Sequence, residues 1–222
     1  MYFAIDIYNR RIHINETNDK EKYFCPICGN EVIRKLGTKN NHHFAHKNYR
    51  YCDTWHENKT EWHKKWQSLF SKDNQEVIIT LQDEKHIADV LINNVIIEFQ
   101  HSTMSEDNFI SRNKFYLENN LKIVWVIDCL NSKITYFEDT VKNKITYTKF
   151  LNKDIELFEA HFNWTNRKKY MDKIDIDKID LFLHYKEKLL IKVKKVYNSL
   201  TYFEGEIITI NGFIDCYKNN TK

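Results

Sequence analysis

Three apolar runs follow one another in the middle of the chain, and the last two, 86–92 and 94–100, are separated by only an Asn-Asn turn. Their content of Val, Ile and Phe is typical of buried β-strands. A two-residue turn joins such strands into one antiparallel hairpin. Side chains alternate along a strand, so Glu98 and Gln100 are expected on one face of the sheet and Phe99 on the other.

The same hairpin register predicts that two carboxylates lie side by side, Asp89 on the first strand and Glu98 on the second. Paired carboxylates are hard oxygen ligands, of the kind that bind Mg²⁺ or Mn²⁺. Among Val and Ile their charge is costly unless it is paired or bound to a metal. The alternative is that both acids face solvent on a half-exposed sheet, since a short D…ExQ pattern is frequent by chance. A shared cation would indicate phosphodiester chemistry.

The flanking segments predict an α/β core. Apolar spacing and capping residues indicate a helix at 56–70 capped by Thr60 or Asn58, strands at 76–82, 86–92 and 94–100, a helix at 105–119 capped by Ser105, and a buried strand at 121–128. This helix-strand-strand-strand-helix-strand order predicts helices packed on a mixed sheet. In the first helix, one buried stripe is expected from Trp62, Trp66, Leu69 and Phe70.

The hydrophobic periodicity is weaker toward the two ends of the chain. Residues 2–15 alternate around Asn9-Arg10 and predict a short hairpin, whereas 133–138 and 144–150 are compatible with a second one. Residues 151–176 favour a helical or irregular segment, and those from 179 onward favour strands or a strand–helix mixture. We predict three regions: an N-terminal hairpin and zinc-finger-like module at 1–55, a core at 56–130, and a C-terminal α+β extension at 131–222.

Two closely spaced ligand pairs predict a structural zinc site. Cys25-Pro-Ile-Cys28 is followed by a glycine that lets a tight turn close around an ion, and fourteen residues separate Cys28 from the pair His43-Phe-Ala-His46. Together they supply Cys₂His₂, a complete tetrahedral set. Three other residues remain possible substitutes for one ligand: His42, Cys52 and His56. The alternative is that these are unrelated polar residues on a surface hairpin.

Composition bounds the class of protein. Five cysteines, an odd number widely spread over 222 residues, argue against a secreted disulfide framework. No apolar run reaches the ~18 residues of a membrane helix, and we expect a cytoplasmic protein. Between residues 31 and 65 there are eight Lys/Arg against four acids. Such a patch can attract a polyanion, although a solvated surface of mixed charge explains it equally well.

The spaced motifs resemble a known family. In order along the chain these are FCPICG, HHFAH, TEWHKKWQ, HIADV, VIIEFQHS, a Ser-Arg pair at 111–112, Phe-Tyr at 115–116 and IVWVID. They resemble the competence protein CoiA-like family over roughly residues 1–130. The resemblance implies a PD-(D/E)XK nuclease-like core preceded by a small zinc-knuckle module.

Carried over to this chain, the resemblance makes Asp89 and Glu98 the catalytic metal-binding acids. Gln100 takes the place of the motif's terminal lysine, a departure from the superfamily pattern, because an amide can orient water or a phosphate but carries no charge. Glu61, on the first core helix, is the candidate further acid.

Two residues are expected to contact the substrate. Arg112 would neutralise a backbone phosphate, and His63 would help to position water or substrate. The alternative for His63 is an ordinary surface histidine.

The implied function is hydrolysis of DNA phosphodiester bonds by a nuclease that depends on Mg²⁺ or Mn²⁺ and carries a structural Zn²⁺. Such an enzyme would act in DNA uptake or recombination, or in phage defence. The alternative is a catalytically inactive, zinc-containing adaptor that binds nucleic acid. DNA is the expected partner, and the region 131–222 is the expected contact for a protein partner or a second copy of the chain.

Overall fold

The computed structural model describes residues 1–38, 42–47, 52–53, 55, 59–137, 148–149, 156–165, 170–171, 174–198 and 201–218. Contacts within the chain define an N-terminal unit, residues 1–90, and a C-terminal unit, residues 91–222. His56, one of the possible zinc ligands, lies outside the described residues, as does most of the predicted strand 144–150.

In the described part of the N-terminal unit, five short antiparallel strands form a sheet in the order β2-β1-β3-β4-β5. The strands are β1 (Phe3–Ile5), β2 (Arg11–His13), β3 (Tyr23–Phe24), β4 (Glu31–Lys35) and β5 (His43–His46). β1 and β2 confirm the hairpin predicted for residues 2–15. Asn9 has a φ of 61° in its turn, a conformation that asparagine tolerates better than most residues. Phe3, Tyr23, Val32 and Phe44 belong to the core of this sheet.

Both core helices begin at caps that the sequence predicted. Helix α1 (Glu61–Ser68) follows Thr60, and helix α2 (Glu106–Glu118) follows Ser105. In each case the cap hydroxyl accepts a hydrogen bond from the backbone N–H of the third helical residue, at 3.3 Å and 3.2 Å respectively. Local chemistry therefore fixes where these helices start.

The apolar stripe predicted on α1 is correct only in part. Trp66 and Phe70 are buried, but Leu69 is 38% exposed, so its assignment to the stripe was wrong. Leu69 follows the last helical residue as the C-cap. Gln67 is buried on this helix instead, because its side-chain amide donates a hydrogen bond to the backbone carbonyl of Asp89.

The three strands predicted in the middle of the chain are all present. β6 (Gln75–Leu81) and β7 (Glu84–Ile92) pair antiparallel in the N-terminal unit. β7 continues across the boundary at Val90–Leu91 into the C-terminal unit. After a two-residue turn at 93–94, in which Asn93 has a φ of 54°, the chain enters β8 (Val95–Gln100).

The described residues of the C-terminal unit form a mixed sheet in the order β10-β12-β15-β14-β13-β9-β8. Its further strands are β9 (Lys122–Asp128), β10 (Ile134–Phe137), β11 (Thr148–Lys149), β12 (Glu156–Trp164), β13 (Ile179–Lys186), β14 (Leu189–Asn198) and β15 (Tyr202–Thr209), followed by helix α3 (Ile210–Lys218). β9 runs parallel to β8 and β13, and α2 provides the crossover that the parallel β8–β9 pair requires. The fold is thus mixed α/β with a large mixed sheet and few helices.

β10 pairs with β12, and most of its predicted hairpin partner, 144–150, lies outside the described residues. One prediction for the C-terminal third was wrong. Residues 156–164 form a strand and not a helical or irregular segment. Their sequence FEAHFNW, from residue 158, alternates with a period of two, a strand signal that is lost when the whole span 151–176 is read as one segment. No helix in the described residues has the length and apolar character needed to cross a membrane.

Candidate active site and metal cluster

Asp89 is buried in β7, and side chains of the N-terminal unit bond to its carboxylate. His63 Nε2 lies 2.8 Å and Lys59 Nζ 3.0 Å from Asp89 Oδ1. Gln67 Nε2 lies 3.3 Å from the same oxygen and donates to the Asp89 backbone carbonyl at 3.0 Å. His63 and Gln67 are four residues apart on α1 and therefore share one face of the helix. The carboxylate is thus held by a cation and by two groups of one helix.

A second buried acid, Glu76, shares the same lysine. Lys59 Nζ is 3.0 Å from Glu76 Oε1, and Glu76 Oε2 accepts hydrogen bonds from the backbone N–H groups of Tyr2 and Phe3 at 2.7 and 3.2 Å. Burial alone would raise the pKa of Glu76, but the charge of Lys59 outweighs it and lowers this pKa to about 2. Burial would likewise lower the pKa of Lys59, and the carboxylates of Asp89 and Glu76 raise it well above its usual range. The lysine is therefore a fixed cation.

The depressed pKa of Glu76 predicts a pH-dependent contribution to stability. Ionised Glu76 stabilises the fold at any pH above its unfolded-state pKa, near 4.5, and this contribution disappears as the pH falls toward 2. Glu76→Gln should therefore lower the free energy of unfolding by roughly 3 kcal/mol at pH 7, and by progressively less below pH 4.5. Urea titrations of both proteins between pH 7 and pH 3 measure the difference.

The matched control for this prediction is Glu118→Gln. Glu118 is exposed on α2 and lies 3.8 Å from Lys114, so the change should be below about 0.5 kcal/mol at every pH. A Glu76→Gln effect that stays constant from pH 7 to pH 3 would contradict the prediction.

Glu98 is buried in the C-terminal unit, where α2 holds its carboxylate. The Tyr116 hydroxyl donates to Oε1 at 2.7 Å, and Arg112 Nη1 donates to Oε2 at 3.3 Å. The two donors are four residues apart and lie on one face of α2. Both carboxylate oxygens are therefore fixed by neighbours.

Gln100 is 1% exposed at the end of β8. Its Nε2 donates to the backbone carbonyl of Ser102 at 3.0 Å and lies 3.3 Å from the Ser102 hydroxyl. This side chain is thus oriented by the loop that follows the strand. The side-by-side placement of Asp89 and Glu98 remains a prediction from the hairpin sequence.

The other predicted site residues differ in placement. His63 lies at Asp89, as described above, whereas Glu61 is exposed in the first turn of α1. Arg112, which the resemblance assigned to a phosphate, is only 6% exposed and forms an ion pair with Glu98. Its contact with a substrate phosphate therefore stays a prediction, and the contact that the structure gives it is with Glu98.

Sequence reasoning missed four residues that contact the two acids or their partners: Lys59, Gln67, Glu76 and Tyr116. Two of them had a usable signal, because Gln67 follows His63 and Tyr116 follows Arg112 at a spacing of four on a helix. Lys59 and Glu76 are isolated charges at the ends of elements. Only the tertiary fold brings them together.

The donor set in the N-terminal unit suits a divalent cation. The carboxylate of Asp89 is paired with Lys59 and offers hard oxygen donors. Gln67 Oε1 is buried and, among the described residues, has no hydrogen-bond partner. An unmatched acceptor beside a carboxylate is costly unless a cation or water meets it. These residues therefore fit the metal that the family resemblance implies.

A separate cluster of Cys and His side chains lies in the N-terminal sheet. Among the described residues, the ligand atoms of Cys25, Cys28, His46 and Cys52 all lie within 4.8 Å of one another. Cys25 Sγ is 3.4 Å from Cys52 Sγ, and His46 Nε2 is 3.3 Å from Cys28 Sγ and 3.6 Å from Cys52 Sγ. Such a Cys₃His set can bind zinc in a tetrahedral site.

The backbone around this cluster has the form that a metal knuckle needs. Gly29 has a φ of 71°, the left-handed conformation expected of the glycine after Cys28. The backbone N–H of Ile27 donates to Cys25 Sγ, and the Asn30 amide donates to Cys28 Sγ. Burial raises the pKa values of the Cys25 and Cys52 thiols. A bound cation would reverse that preference and hold them as thiolates.

The fourth member of the cluster differs from the predicted one. We expected His43 with Cys25, Cys28 and His46, and the structure instead places Cys52 with those three. His43 and His46 both lie on β5, and three positions along a strand send their side chains to opposite faces. Cys52 was one of the substitutes that the sequence left open, as was the exposed His42, which is not in the cluster.

The residues after Cys52 attach the cluster segment to β7. Asp53 is buried and accepts from the backbone N–H of Ile87 at 3.0 Å, and it lies 2.9 Å from His86 Nδ1. Trp55 stacks on the His86 ring at an interplanar angle of 8°. Burial lowers the pKa of His86, but the hydrogen bonds to Asp53 and Glu84 outweigh it and raise the pKa above its usual value.

Two protein-family models match this chain. Residues 7–54 match the model "Competence protein CoiA, N-terminal domain" and residues 74–211 match "Competence protein CoiA, nuclease-like domain". The chain belongs to the CoiA family. The resemblance predicted over residues 1–130 is confirmed, and it extends to residue 211, farther than we expected.

A curated member of the CoiA family matches a short part of the chain. Competence protein CoiA of Bacillus subtilis (strain 168) is 42% identical over 38 residues, which make up 17% of this chain and 10% of that protein. The chain therefore aligns with only a small part of that relative. No solved structure matches this chain.

Proposed function

We propose that this CoiA-family chain is a divalent-metal-dependent nuclease of the PD-(D/E)XK type that hydrolyses phosphodiester bonds of DNA. The observation that carries the proposal is that Asp89 and Glu98, on the consecutive strands β7 and β8, are both buried and both paired with protein cations. Both acids lie in the region that matches the nuclease-like domain. A buried carboxylate with a specific charge partner is a candidate functional group.

In this proposal, Asp89 and Glu98 are the residues that hold Mg²⁺ or Mn²⁺. When bound, such an ion polarises the scissile phosphate and lowers the pKa of a coordinated water. The protein orients the two acids from different helices, with His63 and Gln67 on Asp89 and with Arg112 and Tyr116 on Glu98.

The remaining polar groups have positioning roles. Gln100 is oriented by Ser102 through its amide nitrogen, and an amide of this kind can position water or a phosphate by hydrogen bonds. His63 Nε2 lies 2.8 Å from Asp89 Oδ1, where the ring can help to position water or substrate. The Cys₃His cluster binds Zn²⁺ as a structural ion, since four protein ligands leave no open coordination position.

The direct test is to incubate the purified chain with single-stranded and double-stranded DNA, with added Mg²⁺, with added Mn²⁺, or with neither. We expect cleavage products only when a divalent ion is added. DNA binding without cleavage under every condition would contradict the proposal and would support the inactive adaptor. RNA of the same sequence in parallel reactions measures the preference for DNA.

The biological setting that we propose is DNA uptake or recombination, in keeping with the name of the family. Phage defence, with the residues beyond 130 as the contact for a partner, is the competing setting. Loss of transformation in a strain carrying Asp89→Asn supports the first, and co-purification of a partner that depends on residues 131–222 supports the second.

A further inference from the structure

Gln100 leaves the proposed active site without the lysine that ends the superfamily motif. An amide donates and accepts hydrogen bonds but carries no charge. A nuclease nevertheless has to stabilise negative charge that develops on the phosphate in the transition state. A fixed positive charge on the Asp89 side of the site would add to the stabilisation that the metal and Arg112, at Glu98, supply.

Lys59 has the required position in the N-terminal unit. Its Nζ is 3.0 Å from Asp89 Oδ1 and 3.0 Å from Glu76 Oε1, and its side chain is 16% exposed. It precedes α1, the helix that supplies the other Asp89 partners, His63 and Gln67. Lys59 is thus a cation in direct contact with an acid of the proposed site.

We propose that Lys59 supplies the fixed positive charge of the active site and that Glu76 is the residue that holds it there. This inference rests on the proposed nuclease function and adds two residues to it. Lys59 acts at the phosphate from beside Asp89, and Glu76 is a positioning residue that acts through Lys59.

The backbone conformation of Glu76 supports a functional role for this residue. Glu76 has a φ of 46°, a left-handed conformation that costs a residue other than glycine about 1 kcal/mol or more. One oxygen of its carboxylate accepts hydrogen bonds from two backbone N–H groups, and the other forms an ion pair with Lys59. Strain of this kind persists where the surrounding structure enforces it, and it clusters at functional sites.

Stability alone does not explain the arrangement. A buried ion pair is often no more stable than well-packed apolar side chains of similar volume, because desolvation offsets the Coulombic attraction. Lys59 also contacts two acids at once, so it can stay paired with Glu76 when Asp89 binds a divalent cation.

The contact with Asp89 predicts effects of opposite sign when the charge of Lys59 is removed. The ammonium and a divalent cation are attracted to the same carboxylate, so its loss should tighten Mn²⁺ binding by about tenfold. The same loss removes stabilisation of the transition state, so kcat should fall by about 100-fold or more. Replacing a residue that has only a structural role would not raise the Mn²⁺ affinity while lowering kcat.

The experiment compares wild type with Lys59→Met, Lys59→Gln and Lys59→Arg, and with Lys65→Met, a change at an exposed lysine of α1. Mn²⁺ affinity is measured by electron paramagnetic resonance without DNA, kcat and KM by DNA cleavage, and folding by urea titration. We expect the Lys59→Met and Lys59→Gln variants to bind Mn²⁺ more tightly and to have a lower kcat, with KM changed less than about threefold. The Lys59→Arg variant should keep part of the wild-type kcat, and Lys65→Met should leave kcat unchanged.

Glu76→Gln tests the positioning role. It leaves Lys59 in place beside Asp89 but removes one of its two anchors, so kcat should fall by about tenfold while KM changes little. An unchanged kcat would show that Glu76 does not position the lysine.

The outcomes separate this inference from the proposed function. Absence of cleavage by the wild type overturns the proposed function before any variant is made. Wild-type cleavage with undiminished kcat in Lys59→Met overturns the role of Lys59 alone. Parallel loss of Mn²⁺ binding, kcat and the urea midpoint in both Met and Gln variants, or failure of both to fold, would show that Lys59 is structural.

Discussion

Replacing Asp89 by asparagine or Glu98 by glutamine is expected to lower the rate of Mn²⁺-dependent DNA cleavage by at least about 10³-fold. Each substitution keeps the shape of the side chain and removes the negative charge that holds the cation. Each amide oxygen can still accept a hydrogen bond, from Gln67 at position 89 and from Tyr116 at position 98, whereas the ion pairs with Lys59 and Arg112 lose their negative charge. A urea titration of each variant therefore separates loss of the metal from loss of the fold. Gel analysis of cleaved DNA measures the cleavage rate.

The control is Glu118→Gln, at the exposed acid of α2, which should cleave at the wild-type rate. Mn²⁺ titrations without DNA test whether the two acids share one ion. If they do, each substitution should weaken the same binding event by about tenfold or more. Binding that is lost in Asp89→Asn but unchanged in Glu98→Gln would contradict a shared ion.

Replacing Cys52 by alanine is expected to abolish stoichiometric zinc binding and to unfold the N-terminal sheet. Apparent free energies of structural zinc binding in small zinc modules are about 10–16 kcal/mol at neutral pH, and most of this is folding free energy. The sheet of β1–β5 has short strands, two to five residues each, so the ion should contribute a large share of its stability. Zinc content by mass spectrometry and thermal unfolding measure the two effects.

His43→Ala is the informative comparison. His43 was the predicted fourth ligand, and the described cluster contains Cys52 in its place. We therefore expect His43→Ala to retain about one zinc per chain and to unfold near the wild-type temperature. Full zinc content in Cys52→Ala, combined with its loss in His43→Ala, would reverse this assignment.

Much of the core could be predicted because its determinants are local. Thr60 and Ser105 cap the two helices by hydrogen bonds to residues three positions ahead, and such chemistry is legible in a short window. β7 and β8 were equally legible from their β-branched content. The acids of the site, Asp89 and Glu98, stood out because charge within such runs requires an explanation.

The missing parts depend on contacts between distant residues. Lys59 and Glu76 are seventeen positions apart and meet only because β6 and the segment before α1 converge on Asp89. Cys52 lies 27 positions from Cys25, outside either closely spaced ligand pair. β12 also pairs with a strand distant in sequence, β10, and its period-two pattern was lost because 151–176 was read as one segment.

The clasp of Asp53 and Trp55 around His86 has a practical consequence. It attaches the chain immediately after Cys52, the proposed zinc ligand, to the strand position three residues before Asp89. If the chain holds both proposed ions, EDTA would remove both, and loss of the zinc would weaken the support of Asp89 as well as removing the magnesium. Dilution into magnesium-free buffer, with the zinc site left loaded, would then stop catalysis without disturbing that support.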